Sequence, residues 1–341
     1  MRQLRFGVCI AVIGFAVALP GAAVSSPPEA VSVQSAVPSW KRIRYGDPRA
    51  LELRSQVGLV IDERAGVILY ARDIDKPRPI ASLTKLLTVM TLLDAKLSHE
   101  KSIEITERDR DRFKGSRSSL RFGTTLSRGE LMRIALVASD NRATAALART
   151  YPGGSEALMR VMNEKAGMLG LTRTRAADAS GLRPGNISTA RDLARLAYIA
   201  RGYPLINSWS TTRRFSVIDR KSGKALKFHN TNSLVHRERW KIALSKTGYT
   251  SEAGNCLLMR TTMADRPLIV VLLNSWGKRS KYGDSGRIRD WMVASERAAQ
   301  AQGEQAGLES AIDDALLQAM VSPGYTVAQP KRASVAQAPM D

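Results

Sequence analysis

The chain has 341 residues, 44% of them hydrophobic and 24% charged, with a formal net charge of +21. That composition supports a large folded core and excludes a mostly disordered chain. The basic surface attracts polyanions, but the basic residues are dispersed, aromatics are only 6%, and no stacking motif or basic recognition helix occurs, which argues against specific nucleic-acid binding.

Arg2 and Arg5 precede an uncharged apolar run from Phe6 to Leu19, and small residues follow at 20–25. The run is shorter than the ~20 residues a bilayer span needs, so residues 1–25 read as a cleaved signal peptide and the mature chain as exported without a stable membrane anchor. Residues 26–50, rich in Ser, Pro and Ala, read as a linker. Structure is expected from near Gln56. Val57–Ile61 and Val67–Tyr70 are β-rich and flank a turn at 62–66, a hairpin. A helical pattern covers Ser82 to about Leu97.

Ser127 and Glu130 form a capping box for a helix over 128–137. Further helices are expected from about Asn141 and after Thr189, and Glu164 reads as part of a helix face. From Arg213 the pattern turns β-like, with strands over 240–246, 256–262 and 268–273 and a turn at Asp265-Arg266-Pro267. A helix from about Gly286 to Ala301 closes the compact part. Leu308 to Met320 fits one short amphipathic helix, and disorder is expected after Pro323. Strands at both ends and helices between them predict an α+β domain over 51–301, in which terminal strands share a sheet and a helical region is inserted. Residues 302–341 are left as a tail.

Three short motifs carry the chemistry. Ser82 and Lys85 lie three apart at a helix start, which puts both on one face. A serine hydroxyl needs a base, and a lysine serves when burial and nearby positive charge lower its pKa. Lys85 is expected to be neutral at rest, with Lys246 close by. Ser139-Asp140-Asn141 falls on a connection between two helices, where a serine relays protons and an asparagine holds a substrate amide. Lys246-Thr247-Gly248 ends a predicted strand, offering a cation, a hydroxyl and room for a substrate backbone. Each motif alone is weak. In this order they match the signature of penicillin-binding proteins and class A β-lactamases.

On these motifs the sequence resembles the low-molecular-mass penicillin-binding proteins, the S11 D-alanyl-D-alanine peptidases. The strings at 79–81, 178–182, 229–232 and 248–257 extend the likeness, which is nearest to the penicillin-binding protein 7 endopeptidases. The resemblance implies the penicillin-binding protein/β-lactamase-like transpeptidase fold, an antiparallel sheet with flanking helices. It implies Ser82 as acylated nucleophile, Lys85 as base and Ser139 as relay. Asn141, Lys246, Thr247, Gly248 and Tyr249 become substrate-binding, with the backbone N–H groups of Ser82 and Tyr249 as oxyanion hole. Peptidoglycan peptide stems are the implied substrate, β-lactams the covalent inhibitors and the periplasm the compartment, with no cofactor.

A class A β-lactamase glutamate in Glu-x-x-Leu-Asn is missing, so slow release of bound penicillin is expected. The short acidic tail favours cross-link endopeptidase over carboxypeptidase, which stays as the alternative. A catalytically silent envelope-binding module is the alternative outside enzymes. His229 and His236 lack ligand-type neighbours, so no metal site is expected. A Ser-His-Asp triad around His229 stays open, although no Gly-x-Ser-x-Gly elbow accompanies it. Cys256 reads as a buried thiol, and Trp240 and Trp276 as core.

Overall fold

A computed structural model describes residues 46–301; the expected signal peptide, most of the linker and the tail lie outside the described residues. In chain order the elements are β1 (Ser55–Asp62), β2 (Val67–Arg72), β3 (Arg78–Pro79), α1 (Thr84–Asp94), β4 (Ser102–Glu104), β5 (Thr125–Ser127), α2 (Arg128–Val137), α3 (Asn141–Arg149) and α4 (Gly154–Met168). There follow β6 (Ile187–Ser188), α5 (Ala190–Ala200), α6 (Pro204–Ser210), β7 (Arg214–Ile218), β8 (Ala225–His229), β9 (Lys241–Thr250), β10 (Gly254–Met263), β11 (Arg266–Ser275) and α7 (Ser280–Ala301).

Five strands form one antiparallel sheet in the order β2-β1-β11-β10-β9. The expected sharing of a sheet by terminal strands is the β1–β11 pairing, Val57 opposite Leu273 and Ile61 opposite Ile269. The period-2 alternation of a strand sorts the apolar residues onto two faces. Ile269, Val271 and Leu273 of β11 face the large core with α1, α2 and α5. Leu268, Val270 and Leu272 face a second core with Ile288 and Met292 of α7. Each fully buried Leu or Ile contributes roughly 1.5–3 kcal/mol, so a one-residue slip would turn both sets away from their partners.

Helix α1 runs through the large core, and residues 84–92 are all buried. Its threonines satisfy their hydroxyls locally: Thr84 donates to the Ala81 carbonyl at 2.9 Å and Thr91 to Leu87 at 2.9 Å. The capping box at Ser127 and Glu130 forms as expected, with reciprocal bonds of 3.1 and 2.7 Å. Glu164 lies on α4 as expected, and helix α6 and the short pairs β3–β6 and β4–β5 add to the expected elements.

Several expected boundaries move. Residues 46–50 already pack on the fold: Gly46 N–H donates to Ser295 Oγ at 2.8 Å, and Pro48–Ala50 forms a 3-10 turn. The helix expected over 82–97 ends at Asp94, and Ser82 sits in a preceding 3-10 turn, Ala81–Leu83. The turn expected at 265–267 is centred on Ala264 and Asp265, both with positive φ (46° and 54°), as a tight hairpin with right-handed strands requires. Arg266 and Pro267 are therefore in β11, opposite Met263 and Thr262. Strand β9 runs on to Thr250, through the Lys246 motif, and α7 begins at Ser280. Trp240 is buried, but Trp276 is 77% exposed. It follows the last residue of β11, where no layer remains to cover it.

Candidate active site

Three elements deliver the motifs to one cleft beside the edge strand β9. The 3-10 turn at the head of α1 carries Ser82, the α2–α3 connection carries Ser139, and β9 carries Lys246 and Thr247. Both loop entries are strained. Ala81 and Ser139 adopt φ of 48° and 57°, a left-handed conformation that costs an L-residue roughly 1–2 kcal/mol. Such strain is held only where surrounding bonds fix it. Here Asp140, which follows Ser139, caps α3 by accepting from Ala143 N–H at 2.9 Å and is itself held by Ser118 Oγ at 2.8 Å.

Lys85 is fully buried, and its ammonium is placed by three acceptors: Ser82 Oγ at 2.8 Å, Asn141 Oδ1 at 2.6 Å and the Ser180 carbonyl at 2.6 Å. Burial pushes its pKa down to about 7, against the pull of Asp178, Asp140 and Asp111. The expected neutral state is thus within reach at physiological pH. Its main cause is burial rather than the expected neighbouring lysine.

Lys246 is equally buried. It donates to Ser139 Oγ at 2.8 Å and to the Thr247 carbonyl at 3.1 Å. Burial holds its pKa well below the ordinary lysine value, and the Lys85 and Lys281 charges add to that effect. Thr247 shares a hydrogen bond with Thr231 at 2.6 Å, and Tyr249 is 63% exposed beyond it. Gly248 is required by close approach: a Cβ there would lie 3.0 Å from the Ile80 carbonyl and 3.1 Å from the Ser82 nitrogen. The backbone of β9 therefore runs directly against the nucleophile turn.

All eight residues singled out by sequence lie in this cleft or on its rim. Asn141 is fixed through both atoms of its amide, since Nδ2 also donates to Ser116 Oγ at 2.8 Å. His229 is exposed at the end of β8, opposite Arg214, and stands apart from the cluster. His236 Nε2 lies 3.3 Å from the Asn230 carbonyl. No group of three or more His, Cys, Asp or Glu that could hold a metal occurs among the described residues. Cys256 is buried, and its thiol is pushed up to about 11 by burial, an unreactive state.

Sequence reasoning gave no role to the loop at 178–183, which supports the cluster from below. Asp178 accepts bonds from the N–H groups of Ser180, Gly181, Leu182 and Arg183, from Ser180 Oγ and from Asn186 Nδ2. Burial pushes its carboxyl up, but these bonds outweigh it and hold the pKa below the ordinary value. The Ser180 carbonyl is thereby aimed at Lys85. Gly181 has a φ of 84°, and a Cβ there would sit 1.9 Å from the Ala81 carbonyl oxygen. The string Asp178-Ala179-Ser180-Gly181 was legible; that its glycine and aspartate set the position of Ser82 and Lys85 was not.

The cluster can run acyl transfer. It holds a hydroxyl against a buried amine with a pKa near neutrality, and a second hydroxyl against a second buried amine. The pattern of the family described as D-alanyl-D-alanine carboxypeptidase, peptidase S11, matches residues 45–277. The chain is similar to a D-alanyl-D-alanine endopeptidase of Pseudomonas aeruginosa, 42% identical over 78% of this chain and 86% of the relative. It is similar to one of Escherichia coli, 39% identical over 71% of this chain and 78% of the relative. Among solved structures a mutant DD-transpeptidase of Streptomyces superposes with a TM-score of 0.65 at 25% identity, covering 71% of this chain and 98% of that one.

Proposed function

The chain belongs to the S11 D-alanyl-D-alanine peptidases, the low-molecular-mass penicillin-binding proteins, and from that premise we infer that it is a serine endopeptidase cutting peptidoglycan cross-links. Relatives named as endopeptidases are 37–42% identical, whereas those named as carboxypeptidases are 26–29% identical. The observation that carries the mechanism is the bond between Lys85 Nζ and Ser82 Oγ at 2.8 Å, with the amine buried and titrating near 7.

Neutral Lys85 takes the hydroxyl proton as Ser82 Oγ attacks the carbonyl carbon of the D-alanyl peptide bond. The oxyanion forms where the β9 backbone meets the nucleophile turn, against the N–H groups of Ser82 and Tyr249. The C–N bond then breaks. The proton held by Lys85 returns to the leaving amine through Ser139, whose hydroxyl Lys246 positions. Water next attacks the acyl ester with Lys85 again as base. Asn141, Lys246, Thr247, Gly248 and Tyr249 line the path of the substrate peptide. A β-lactam acylates the same Ser82. Asp178 spends its carboxylate oxygens on the loop's own donors, so it is poorly placed to activate a deacylating water, in line with slow release of a bound penicillin.

The proposed organisation is a signal peptide over 1–25, a linker from 26, the peptidase domain over 51–301 and a tail over 302–341. The periplasm is the proposed compartment, without a stable membrane anchor and without specific nucleic-acid binding. Among the described residues no helix is long and apolar enough to cross a membrane. The test is twofold. A fluorescent penicillin should label the protein and leave Ser82→Ala unlabelled; equal labelling of both overturns the nucleophile. Mass analysis of digested sacculi should show cross-linked dimers converted to monomers. Loss of only a terminal alanine would make it a carboxypeptidase.

A further inference from the structure

The hairpin β7–β8 concentrates positive charge. Six cations fall within 213–227, and Asp219 is the single carboxylate among them. The inner face of the hairpin is packed. Phe215 stacks on Phe228 with ring centroids 5.4 Å apart, Val217 is buried, and the guanidinium of Arg133 from α2 lies 4.2 Å from the Phe215 ring centre. Its turn is tied down as well. Asp219 is buried and accepts from Thr125 N–H at 2.8 Å, Arg220 pairs with Glu100 at 3.3 Å, and Lys221 pairs with Glu104 at 3.2 Å. The hairpin is therefore held on one side and at its tip.

The outer face has the opposite character. The rungs Arg214–His229, Ser216–Lys227 and Ile218–Ala225 place six exposed side chains on it, and none of the six is a carboxylate. Arg213 and Lys224, also exposed, stand immediately before the two strands. Arg213, Arg214, Lys224 and Lys227 have no ion-pair partner among the described residues. Arg214 and Lys227 are diagonal neighbours across the ladder, about 7–8 Å apart, so their fields add rather than cancel. The next carboxylate along the chain, Glu238, stands between Arg237 and Arg239. Four uncommitted cations without an exposed carboxylate among them complement a polyanion. Ile218, 54% exposed, is the one large apolar side chain on this face, too little to enter a lipid surface. Beyond β8 the chain runs straight to the catalytic cleft, where Thr231 shares its hydrogen bond with Thr247. The polyanion that fits both the charge and the location is the polymer that also enters the cleft.

We propose that the outer face of β7–β8 is a docking surface for the peptidoglycan sacculus, on which Arg213, Arg214, Lys224 and Lys227 hold the free carboxylates of stems neighbouring the one that is cut. The proposal rests on the peptidoglycan reading for the identity of the polymer. It adds that the enzyme is retained on its insoluble substrate by a surface separate from the nucleophile, so that action on sacculi depends on salt and action on small soluble stems does not.

The test uses the full-length Ser82→Ala protein, which binds without turnover, and co-sedimentation with purified sacculi, either native or with their carboxylates converted to carboxamides. Replacing Arg213, Arg214, Lys224 and Lys227 by Gln should weaken retention on native sacculi about tenfold at low salt, as expected for four exposed charge contacts, and the difference should vanish at high salt. Amidated sacculi should hold both proteins equally. Arg213→Lys with Arg214→Lys preserves the charge and should keep wild-type retention. With Ser82 intact, the four-residue Gln variant should be acylated by benzylpenicillin and should cleave a small soluble cross-linked dimer at wild-type rates, which shows that fold and nucleophile survive, while it releases muropeptides from sacculi more slowly. Equal retention of both proteins on native sacculi, or the same loss on amidated sacculi, overturns the docking surface. So does charge-dependent binding to vesicles of anionic phospholipid without binding to sacculi, which would make the face a membrane contact. A wild-type protein that docks on sacculi in this charge-dependent way yet removes only a terminal alanine keeps the surface and overturns the endopeptidase reading.

Discussion

The helix side and the strand side of the cleft each bury a lysine completely, yet surround it differently. Lys85 has three acceptors within 2.8 Å and feels Asp178, Asp140 and Asp111. Lys246 has one hydroxyl and one carbonyl, and feels only other cations, Lys85 and Lys281. Burial drives both amines toward the neutral form, but the carboxylates on the helix side stop Lys85 at about 7. The strand side has no such brake. The same residue type therefore has carboxylates to support its charge in one half and only cations and neutral acceptors around it in the other. A substrate carboxylate or oxyanion beside Lys246 would supply the missing counter-charge and draw a proton onto it.

The strongest way to break this comparison is to remove the helix-side base. Lys85→Ala should slow penicillin acylation by roughly 10²–10⁴, the usual value of a positioned base. Lys85→Arg should not restore it, because a guanidinium does not deprotonate in this range. In the wild type, acylation should fall about tenfold per pH unit below about 7, measured by stopped-flow, and level off above it. Stability has the matching sign. Folding lowers this pKa from 10.5, so between about 7 and 10.5 the unfolded chain holds the extra proton. Stability should rise with pH across that window, and the penalty is complete below about 7. A flat acylation profile from pH 5 to 8 would mean that Lys85 is not the base.

The two sides also differ in how they are buttressed. Strand β9 is held by its ladder to β10, whereas the nucleophile turn rests on the 178–183 loop. Gly181→Ala should therefore cost roughly 2–4 kcal/mol in denaturant unfolding, from a left-handed φ and a methyl driven into the Ala81 carbonyl. Residual folded protein should label poorly with penicillin, because Ser82 and the Ser180 carbonyl shift together. Gly181→Ala with wild-type stability and labelling would show that the loop does not set the turn.

These buttresses mark the limit of what the sequence told. Elements with a local signature were legible: the Ser127/Glu130 box predicted α2 with both ends in place, and the continuous β-rich apolar runs predicted β1, β10 and β11. The site was legible because its residues come in three compact motifs. What failed depends on distant partners. No local pattern says that Asp178 spends its oxygens on its own loop, that Lys85 owes its pKa mainly to burial, or that Trp276 falls one residue past the last covered rung of the sheet. The Asp265-Arg266-Pro267 turn is displaced for a different reason: it is made by positive φ at Ala264 and Asp265, and Pro267 pairs with Thr262 inside the ladder.

The smallest expected effect is the most selective. Lys281 is buried under the sheet, donates to Asn255 Oδ1 at 3.2 Å, and lowers Lys246 after burial and Lys85 have done so. It is absent from the influences on Lys85. Lys281→Met should therefore raise the Lys246 titration and leave the Lys85 titration in place, read by NMR of isotope-labelled lysines. Benzylpenicillin acylation should keep its inflection at about 7, since that inflection belongs to Lys85. If both lysines move together, the two sides of the cleft share one electrostatic environment, and the division into an amine supported by carboxylates and one without them fails. If only Lys246 moves, the strand side is tuned from beneath the sheet, independently of the base that starts the reaction.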